Sequence, residues 1–163
     1  MQRREFSEEF TYIPTGEGWL YLATILDLYS RKIVGWSMDS SVSGQIVLDA
    51  LEMAVGARRL AKGLVHYSDL GSQYASGDYQ RALAEHEMLC SMSRKGDCWD
   101  NAVMESFYRS LKTELVHQQD YGTKEEARQD IIEYIEVFCN RQRIHSYLGY
   151  LCPVDFETQG RAA

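Results

Sequence analysis

Two acidic residues of this 163-residue chain, Asp69 and Glu105, have neighbours that favour chemistry over simple solvation. Asp69 follows a short apolar segment that is predicted to be a strand, and Glu105 lies on a later predicted helix. There are 35 residues between them, and Lys112 comes seven residues after Glu105. An acidic residue at a strand end and one on a helix can lie close together in the fold, and their carboxylates can then hold two divalent cations. Two-metal phosphoryl transfer requires such an arrangement.

The predicted helix that carries Glu105 separates an apolar stripe from a polar one. At about 100° per residue, the apolar stripe is predicted to be the core face. It consists of Val103, Phe107, Leu111 and Leu115. The opposite face gathers Asn101, Glu105, Arg109 and Lys112. A carboxylate that can bind a metal, next to cations that can bind phosphate, suits the binding of a nucleic-acid strand. An ordinary solvated face of mixed charge is the alternative, and for this helix alone it is favoured.

Asp69 stands in the segment Ser68-Asp69-Leu70-Gly71, an acid at a strand end before a glycine turn. A capping aspartate that accepts backbone N–H groups is the alternative to a metal ligand, and it is common at such turns. The segment taken alone favours the capping aspartate.

Composition narrows the function classes. The net charge is −7, with 24 acidic and 17 basic residues, which argues against nonspecific duplex binding by this chain alone. The four cysteines show no CxxC spacing, so free thiols in a reducing cytoplasm are favoured over disulfides or a zinc site. The charged segment Met1–Glu5 does not resemble a signal peptide, and the apolar segment Trp19–Leu28 is too short to span a bilayer. We therefore expect a single cytoplasmic domain over residues 1–163, without membrane attachment.

The order of predicted elements indicates an α/β fold. Strands are predicted at Phe10–Ile13, Trp19–Leu26, Lys32–Ser37, Gly63–Ser68 and Met88–Met92. Helices are predicted from Ser43 to about Arg59, at Asp78–His86 and Asp100–His117, and at Thr123–Asn140 behind a capping box at Thr123. An antiparallel meander followed by parallel strands with crossover helices predicts a ribonuclease H-like mixed five-stranded sheet flanked by helices.

From Phe10 to Phe156 the chain resembles the integrase-type catalytic core of bacterial insertion-sequence transposases, which are related to retroviral integrases. Several segments carry the resemblance in a fixed order. They are Phe10-Thr11-Tyr12-Ile13-Pro14-Thr15, Gly18-Trp19-Leu20-Tyr21-Leu22-Ala23, the segments Asp27–Trp36 and Ser91–Arg94, the surroundings of Asp69 and Glu105, and Arg143-Ile144-His145-Ser146-Tyr147-Leu148-Gly149-Tyr150.

The resemblance implies an Asp-Asp-Glu triad that binds Mg²⁺ or Mn²⁺. Asp69 matches the second acid, Glu105 the third, and Lys112 a basic residue that contacts element-end DNA. Such enzymes cut a DNA strand at the element end with water and then use the freed 3′-hydroxyl to attack target DNA. They work as multimers on paired ends, so a homo-oligomer is expected, and the amino-terminal helix-turn-helix region of relatives is expected to be absent.

Glu9 departs from the family pattern at the first acid. Relatives carry Asp-Ile-Thr-Tyr-Ile where this chain has Glu9-Phe10-Thr11-Tyr12-Ile13. Glutamate keeps the charge but moves the carboxylate by roughly 1 Å, and such a misplacement can cost on the order of 100-fold in rate. Glu8 is expected to face the opposite side of the strand and is therefore a poor substitute.

Three functions therefore remain open. The first is a DDE-type polynucleotidyl transferase whose activity is impaired by Glu9. The second is a catalytically inactive transposase-derived fragment that acts as a DNA-binding or oligomerisation module. The third is a ribonuclease H-type hydrolase of RNA–DNA hybrids, which the carboxy-terminal motifs do not support.

Overall fold

The structure, a computed structural model, describes residues 5–41, 43–57, 65–68, 77–86, 88–92, 98–145 and 148–162. Only the backbone is described at residues 5, 57, 65–68, 89–92, 98–101 and 160–162. The strands are β1 (Glu5–Thr15), β2 (Gly18–Asp27), β3 (Ile33–Asp39), β4 (Val65–Ser68) and β5 (Leu89–Met92). The α-helices are α1 (Gly44–Ala57), α2 (Gly77–Glu85), α3 (Cys98–Glu114), α4 (Lys124–Glu133) and α5 (Pro153–Ala162).

The five strands form one mixed sheet in the order β3-β2-β1-β4-β5. The first three pair as an antiparallel meander, whereas β4 runs parallel to both β1 and β5. The predicted meander followed by parallel strands is confirmed. Because β4 pairs with β1 only from Glu5 to Glu8, the rest of β1 extends beyond the end of β4.

Helices pack on both faces of the sheet and bury two apolar clusters. One cluster joins Phe6, Ile25 and Val34 to residues of α1 and α2. The other joins Ile13 and Leu22 to residues of α3, α4 and the segment after α4. None of the described helices is long and apolar enough to cross a membrane.

Polar side chains fix the joint between β2 and β3. Asp27 is fully buried, and its Oδ1 accepts hydrogen bonds from the backbone N–H groups of Tyr29 (2.9 Å) and Ser30 (3.3 Å). Asn140 accepts from the N–H of Ile33 (2.8 Å) and donates to its carbonyl (3.1 Å), which ties the end of the α4 region to the start of β3. Asp27 therefore has a structural role at this turn.

Three boundary predictions were inaccurate. Strand β1 runs from Glu5 to Thr15, well beyond the predicted Phe10–Ile13, because buried contacts accommodate the polar residues Ser7 and Glu8 inside the strand. The helix predicted to continue to Asn140 changes after Glu133 into a π-helical segment, Tyr134–Cys139. Helix α5 was not predicted, although Pro153 at its first position is a typical helix start.

The predicted cap at Thr123 is confirmed, with one difference in the partner of Glu126. The Thr123 Oγ1 accepts from the Glu126 N–H at 3.1 Å. In a capping box the Glu126 carboxylate would return to Thr123, but here its Oε2 accepts from the Gly122 N–H at 3.1 Å.

The predicted core stripe of α3 was correct at Leu111 and wrong at its other positions. The buried centre of α3 is Met104, Tyr108 and Leu111, while Val103, Phe107 and Leu115 are only partly buried. Trp19 is 49% exposed because it lies near the tip of the β1–β2 hairpin. Its ring packs edge-on against Tyr12 at 5.0 Å.

Candidate active site

Strand β1 presents its two adjacent acids on opposite faces of the sheet. Glu8 is 2% exposed, and its carboxylate accepts a hydrogen bond from the hydroxyl of Tyr79 on α2. Glu9 pairs with Thr24 in the antiparallel ladder, and directly opposed residues point to the same face. The Thr24 side chain contacts α3, so Glu9 lies on the α3 face. The expectation that Glu8 faces away from Glu9 agrees with this geometry.

A short hydrogen-bond chain attaches α3 to β1 at Glu9. The Tyr108 hydroxyl lies 2.7 Å from the Glu9 carbonyl oxygen and 2.6 Å from Thr24 Oγ1. Because a carbonyl can only accept, Tyr108 donates to Glu9 and accepts from the Thr24 hydroxyl. Met104 Sδ lies 3.6 Å from the same threonine oxygen. One turn of α3 is thereby held against the β1–β2 ladder beside Glu9.

The Tyr108 hydroxyl remains protonated in this position. Burial raises the pKa of Tyr108 well above its ordinary value, and the charges of Glu9 and Glu8 raise it further, against the hydrogen bond from Thr24. Tyr108 therefore acts as a hydrogen-bond donor to the backbone of Glu9 over the whole physiological pH range.

Glu105 lies on the turn of α3 that this chain of hydrogen bonds holds in place. Met104 directly precedes it, Tyr108 follows three residues later, and both contact Thr24. The Glu105 side chain is exposed. The structure thus brings the predicted first and third acids, Glu9 and Glu105, to the same face and the same part of the sheet.

The predicted basic residues of α3 differ in their surroundings. Lys112 is half-buried, and its Nζ donates to the Tyr12 carbonyl at 2.7 Å and lies 5.2 Å from the centre of the Tyr12 ring. Burial lowers the pKa of Lys112. Arg109 is exposed to solvent. Lys112 therefore lies beside the part of β1 that extends beyond β4, on the same helix as Glu105.

Two predicted site residues are not described. Asp69 lies outside the described residues, and strand β4 ends at Ser68, the residue before it. The side chain of Asn101 is also not described, although its backbone belongs to α3. Within the described ranges, no three His, Cys, Asp or Glu residues cluster closely enough to hold a metal ion. Only two members of the predicted triad belong to those ranges.

Sequence reasoning missed Tyr108 and Thr24 as residues that shape this site. Tyr108 was overlooked because its neighbour Phe107 was assigned to the predicted apolar stripe. Its spacing was the available signal, because a residue three positions after Glu105 lies next to it on a helix. Thr24 is a polar residue within a mainly apolar predicted strand, and its sequence position gave no sign of a role in the site.

Comparison with protein families decides the classification. The model of the integrase core domain family matches residues 7–98, which is more than half of the chain, and a second integrase core domain model matches residues 105–160. The chain belongs to the integrase core domain family. The resemblance found in the sequence is confirmed, and the two matched regions include Glu9 and Glu105.

Curated relatives of this integrase core are transposases. It is 49% identical over 149 residues to the transposase for insertion sequence element IS904 of Lactococcus lactis, covering 91% of this chain and 59% of the relative. It is 43% identical over 159 residues to transposase InsF for insertion sequence IS3A of Escherichia coli, covering 98% of this chain and 55% of the relative. The chain thus spans somewhat more than half the length of these relatives.

Solved structures confirm the ribonuclease H-like fold of this integrase core. The HTLV-2 integrase catalytic core domain in complex with magnesium, in a trimeric form, superposes with a TM-score of 0.69 at 12% identity, covering 93% of this chain and 94% of that one. A chain in the structure of the simian T-cell lymphotropic virus intasome in complex with PP2A regulatory subunit B56 gamma gives a TM-score of 0.75 at 12% identity, covering 93% of this chain and 53% of that one.

Proposed function

We propose that this integrase core performs metal-dependent DNA strand cleavage and strand transfer in DNA transposition. The observation that carries the proposal is the attachment of α3 to β1 at Glu9, which holds the Glu105 turn on the same face as the Glu9 side chain. Kinship with transposases from two bacteria supports DNA as the substrate. In the cleavage step, the water oxygen bonds to phosphorus while the bond to the 3′-oxygen breaks, which leaves a 3′-hydroxyl and a 5′-phosphate.

The donor set fits a divalent metal. Glu9 and Glu105 are carboxylates on one face of the sheet, and Asp69 is a third carboxylate that follows, in the sequence, Ser68 at the end of β4. Hard oxygen donors in this small number suit Mg²⁺ or Mn²⁺, and the magnesium bound to the HTLV-2 core supports this choice. Glu9, Asp69 and Glu105 would hold the metal, and it would supply Lewis acidity for the phosphoryl transfer.

The polar side of α3 is proposed to bind the DNA strand. An ammonium group has three donors, and Lys112 uses one on the Tyr12 carbonyl, so two remain for a phosphate. Arg109 is exposed three residues earlier, and Asn101 lies one turn before Glu105 on the same helix. With a net charge of −7, this integrase core alone is expected to bind DNA weakly.

Assembly and location follow from the proposed reaction. Two element ends and one target come together in the proposed reaction, so we propose a homo-oligomer that holds element ends and target DNA together. The trimeric form of the HTLV-2 core and the viral intasome support self-association. We propose the cytoplasm as the location, because bacterial DNA is found there.

Nicking of supercoiled plasmid tests this function. The purified chain is expected to convert supercoiled plasmid to open circles slowly with Mn²⁺ and not at all with EDTA, because the carboxylates need the cation to engage phosphate. An RNA–DNA hybrid of equal length serves as the comparison substrate. Cleavage of the hybrid alone favours a ribonuclease H-type hydrolase, and no cleavage of either favours an inactive DNA-binding or oligomerisation module.

A further inference from the structure

A cavity of about 280 Å³ lies beside α3. The residues that α3 contributes to it are Ala102, Val103, Ser106, Phe107 and Ser110. Its other walls come from the β2–β3 joint, the π-helical segment and the segment after it. Those residues are Leu26, Arg31, Ile33, Tyr134, Cys139, Arg143 and His145. Neither Glu105 nor Lys112 lines this cavity, so it is separate from the candidate active site.

The charged residues that line the cavity are basic. Among the described residues, Arg31, Arg143 and His145 line it and no lining residue is acidic, although Arg143 also pairs with the carboxylate of Glu114. Burial, Arg143 and Arg31 together lower the pKa of His145. The imidazole is therefore neutral near pH 7, and the positive charge at the cavity belongs to the two arginines.

Arg143 carries a buried donor that no described residue accepts. Its Nη2 pairs with the Glu114 carboxylate, its Nη1 donates to Ser110 Oγ at 3.5 Å, and its guanidinium lies 5.2 Å from the centre of the Phe138 ring. The Nε–H is buried and has no acceptor among the described residues. A buried donor without an acceptor destabilises the protein, so an acceptor supplied by a ligand is favoured there.

The backbone next to the cavity is irregular at two places. Arg31 has a left-handed φ of 62°, an uncommon conformation for a residue with a side chain. Tyr134 and Cys139 reach the cavity from the π-helical segment, and such segments occur frequently at functional sites. Both irregularities place side chains on the same cavity, and the candidate active site uses neither.

We propose that this cavity binds a small anion with an apolar body, a carboxylate or phosphate monoester borne on a single ring or a short chain. The anionic group would accept from Arg143 and Arg31, and the body would lie against Val103, Phe107 and Ile33. Ligand pockets usually measure about 300–1,000 Å³, so this one suits a small molecule and is too small for a duplex or a helix. The proposal does not depend on DNA cleavage.

Four probes test the ligand class. Phenyl phosphate and benzoate combine an anion with a ring, inorganic phosphate lacks the ring, and benzyl alcohol lacks the charge. At about ten times its Kd, a binding probe is expected to raise Tm by roughly 3–6 °C, since each kcal/mol shifts a domain of this size by about 2–4 °C. Phenyl phosphate or benzoate should do so and should shift the His145 ring signals in NMR spectra. The stronger of the two identifies the natural anion as phosphate or carboxylate.

Variants distinguish a specific binding site from nonspecific attraction of anions to positive charge. Arg143→Gln is expected to weaken binding of the preferred probe at least about 10-fold, by loss of a charge-assisted hydrogen bond. Arg81→Gln is the matched control, because Arg81 also pairs with an acid but is exposed on α2, and it should leave the affinity unchanged. If Arg143→Gln does not fold, Ser106→Trp tests the same site by filling its exposed rim. The proposal fails if neither ring-bearing anion binds at millimolar concentration, if inorganic phosphate binds equally well, or if Arg81→Gln weakens binding as much.

Discussion

Glu9→Asp is expected to raise Mn²⁺-dependent nicking of supercoiled DNA by as much as about 100-fold, because a misplacement of roughly 1 Å at a reacting centre can cost that factor. Glu9 points to the α3 face beside Tyr108, where the proposed metal ligands gather. Removing one methylene retracts its carboxylate toward β1. The measurement is the initial rate of open-circle formation at equal concentrations of folded protein.

Glu8→Asp is the matched control for this change. The two acids are adjacent on β1, but Glu8 is buried on the other face against Tyr79. Shortening it should not raise the nicking rate, and loss of the Tyr79 contact should lower Tm. An equal rise in rate for both variants contradicts the assignment of Glu9. An unchanged rate for Glu9→Asp shows that side-chain length at this position does not limit the reaction.

Glu105→Gln, made in the Glu9→Asp background, is expected to lower nicking by on the order of 100-fold or more, because it removes the charge of a proposed metal ligand while keeping the shape of the side chain. Glu105 is exposed, so the fold should tolerate the change, and Tm should move little. The more active background gives a range wide enough to measure the loss.

Glu52→Gln in the same background controls for the loss of one exposed helical carboxylate. Glu52 lies on α1, which packs on the opposite face of the sheet. It should retain the full nicking rate. If Glu105→Gln also retains it, the third acid has been assigned to the wrong residue and the proposed site is wrong.

Much of the fold followed from local patterns. The β-branched and aromatic segments gave the meander, and the apolar periodicity of α1 and the Thr123 cap gave two helices close to their observed positions. Strand β1 was underestimated because Glu8 and Glu9 interrupt its apolar pattern, and only tertiary contacts with Tyr79 and α3 make strand positions there favourable. Local strand propensity cannot reveal contacts between residues that are far apart in the sequence.

The acidic residues of the candidate site could be predicted from the sequence, but the residues that hold them in position were harder to predict. Charged residues at fixed spacing pointed to Glu105 and, through the family pattern, to Glu9. Tyr108 could not be recognised as the residue that holds α3 on β1, since its partner Glu9 is 99 positions away in sequence. Lys112 was assigned to DNA contact from the sequence, but its hydrogen bond to the carbonyl of Tyr12 could not be predicted, because the two residues are 100 positions apart.

The π-helical segment and the anionic-ligand cavity had no local signal. Tyr134, Ile135 and Phe138 fit a regular helix by their spacing, so the sequence favoured an uninterrupted helix to Asn140. The extra residue per turn became evident only from the hydrogen bonding of this segment. The pairing of Arg143 with Glu114, 29 positions earlier, likewise depends on how the segment after the π-helical segment packs against α3.

A crystal structure of the chain with Mn²⁺, analysed by anomalous diffraction at the manganese edge, tests the central claim most directly. We expect anomalous peaks between β1 and α3 with carboxylate oxygens of Glu9, Asp69 and Glu105 within about 2.0–2.6 Å, the range for hard divalent cations. Peaks bound elsewhere, or Asp69 and Glu105 on opposite sides of the sheet, would contradict it.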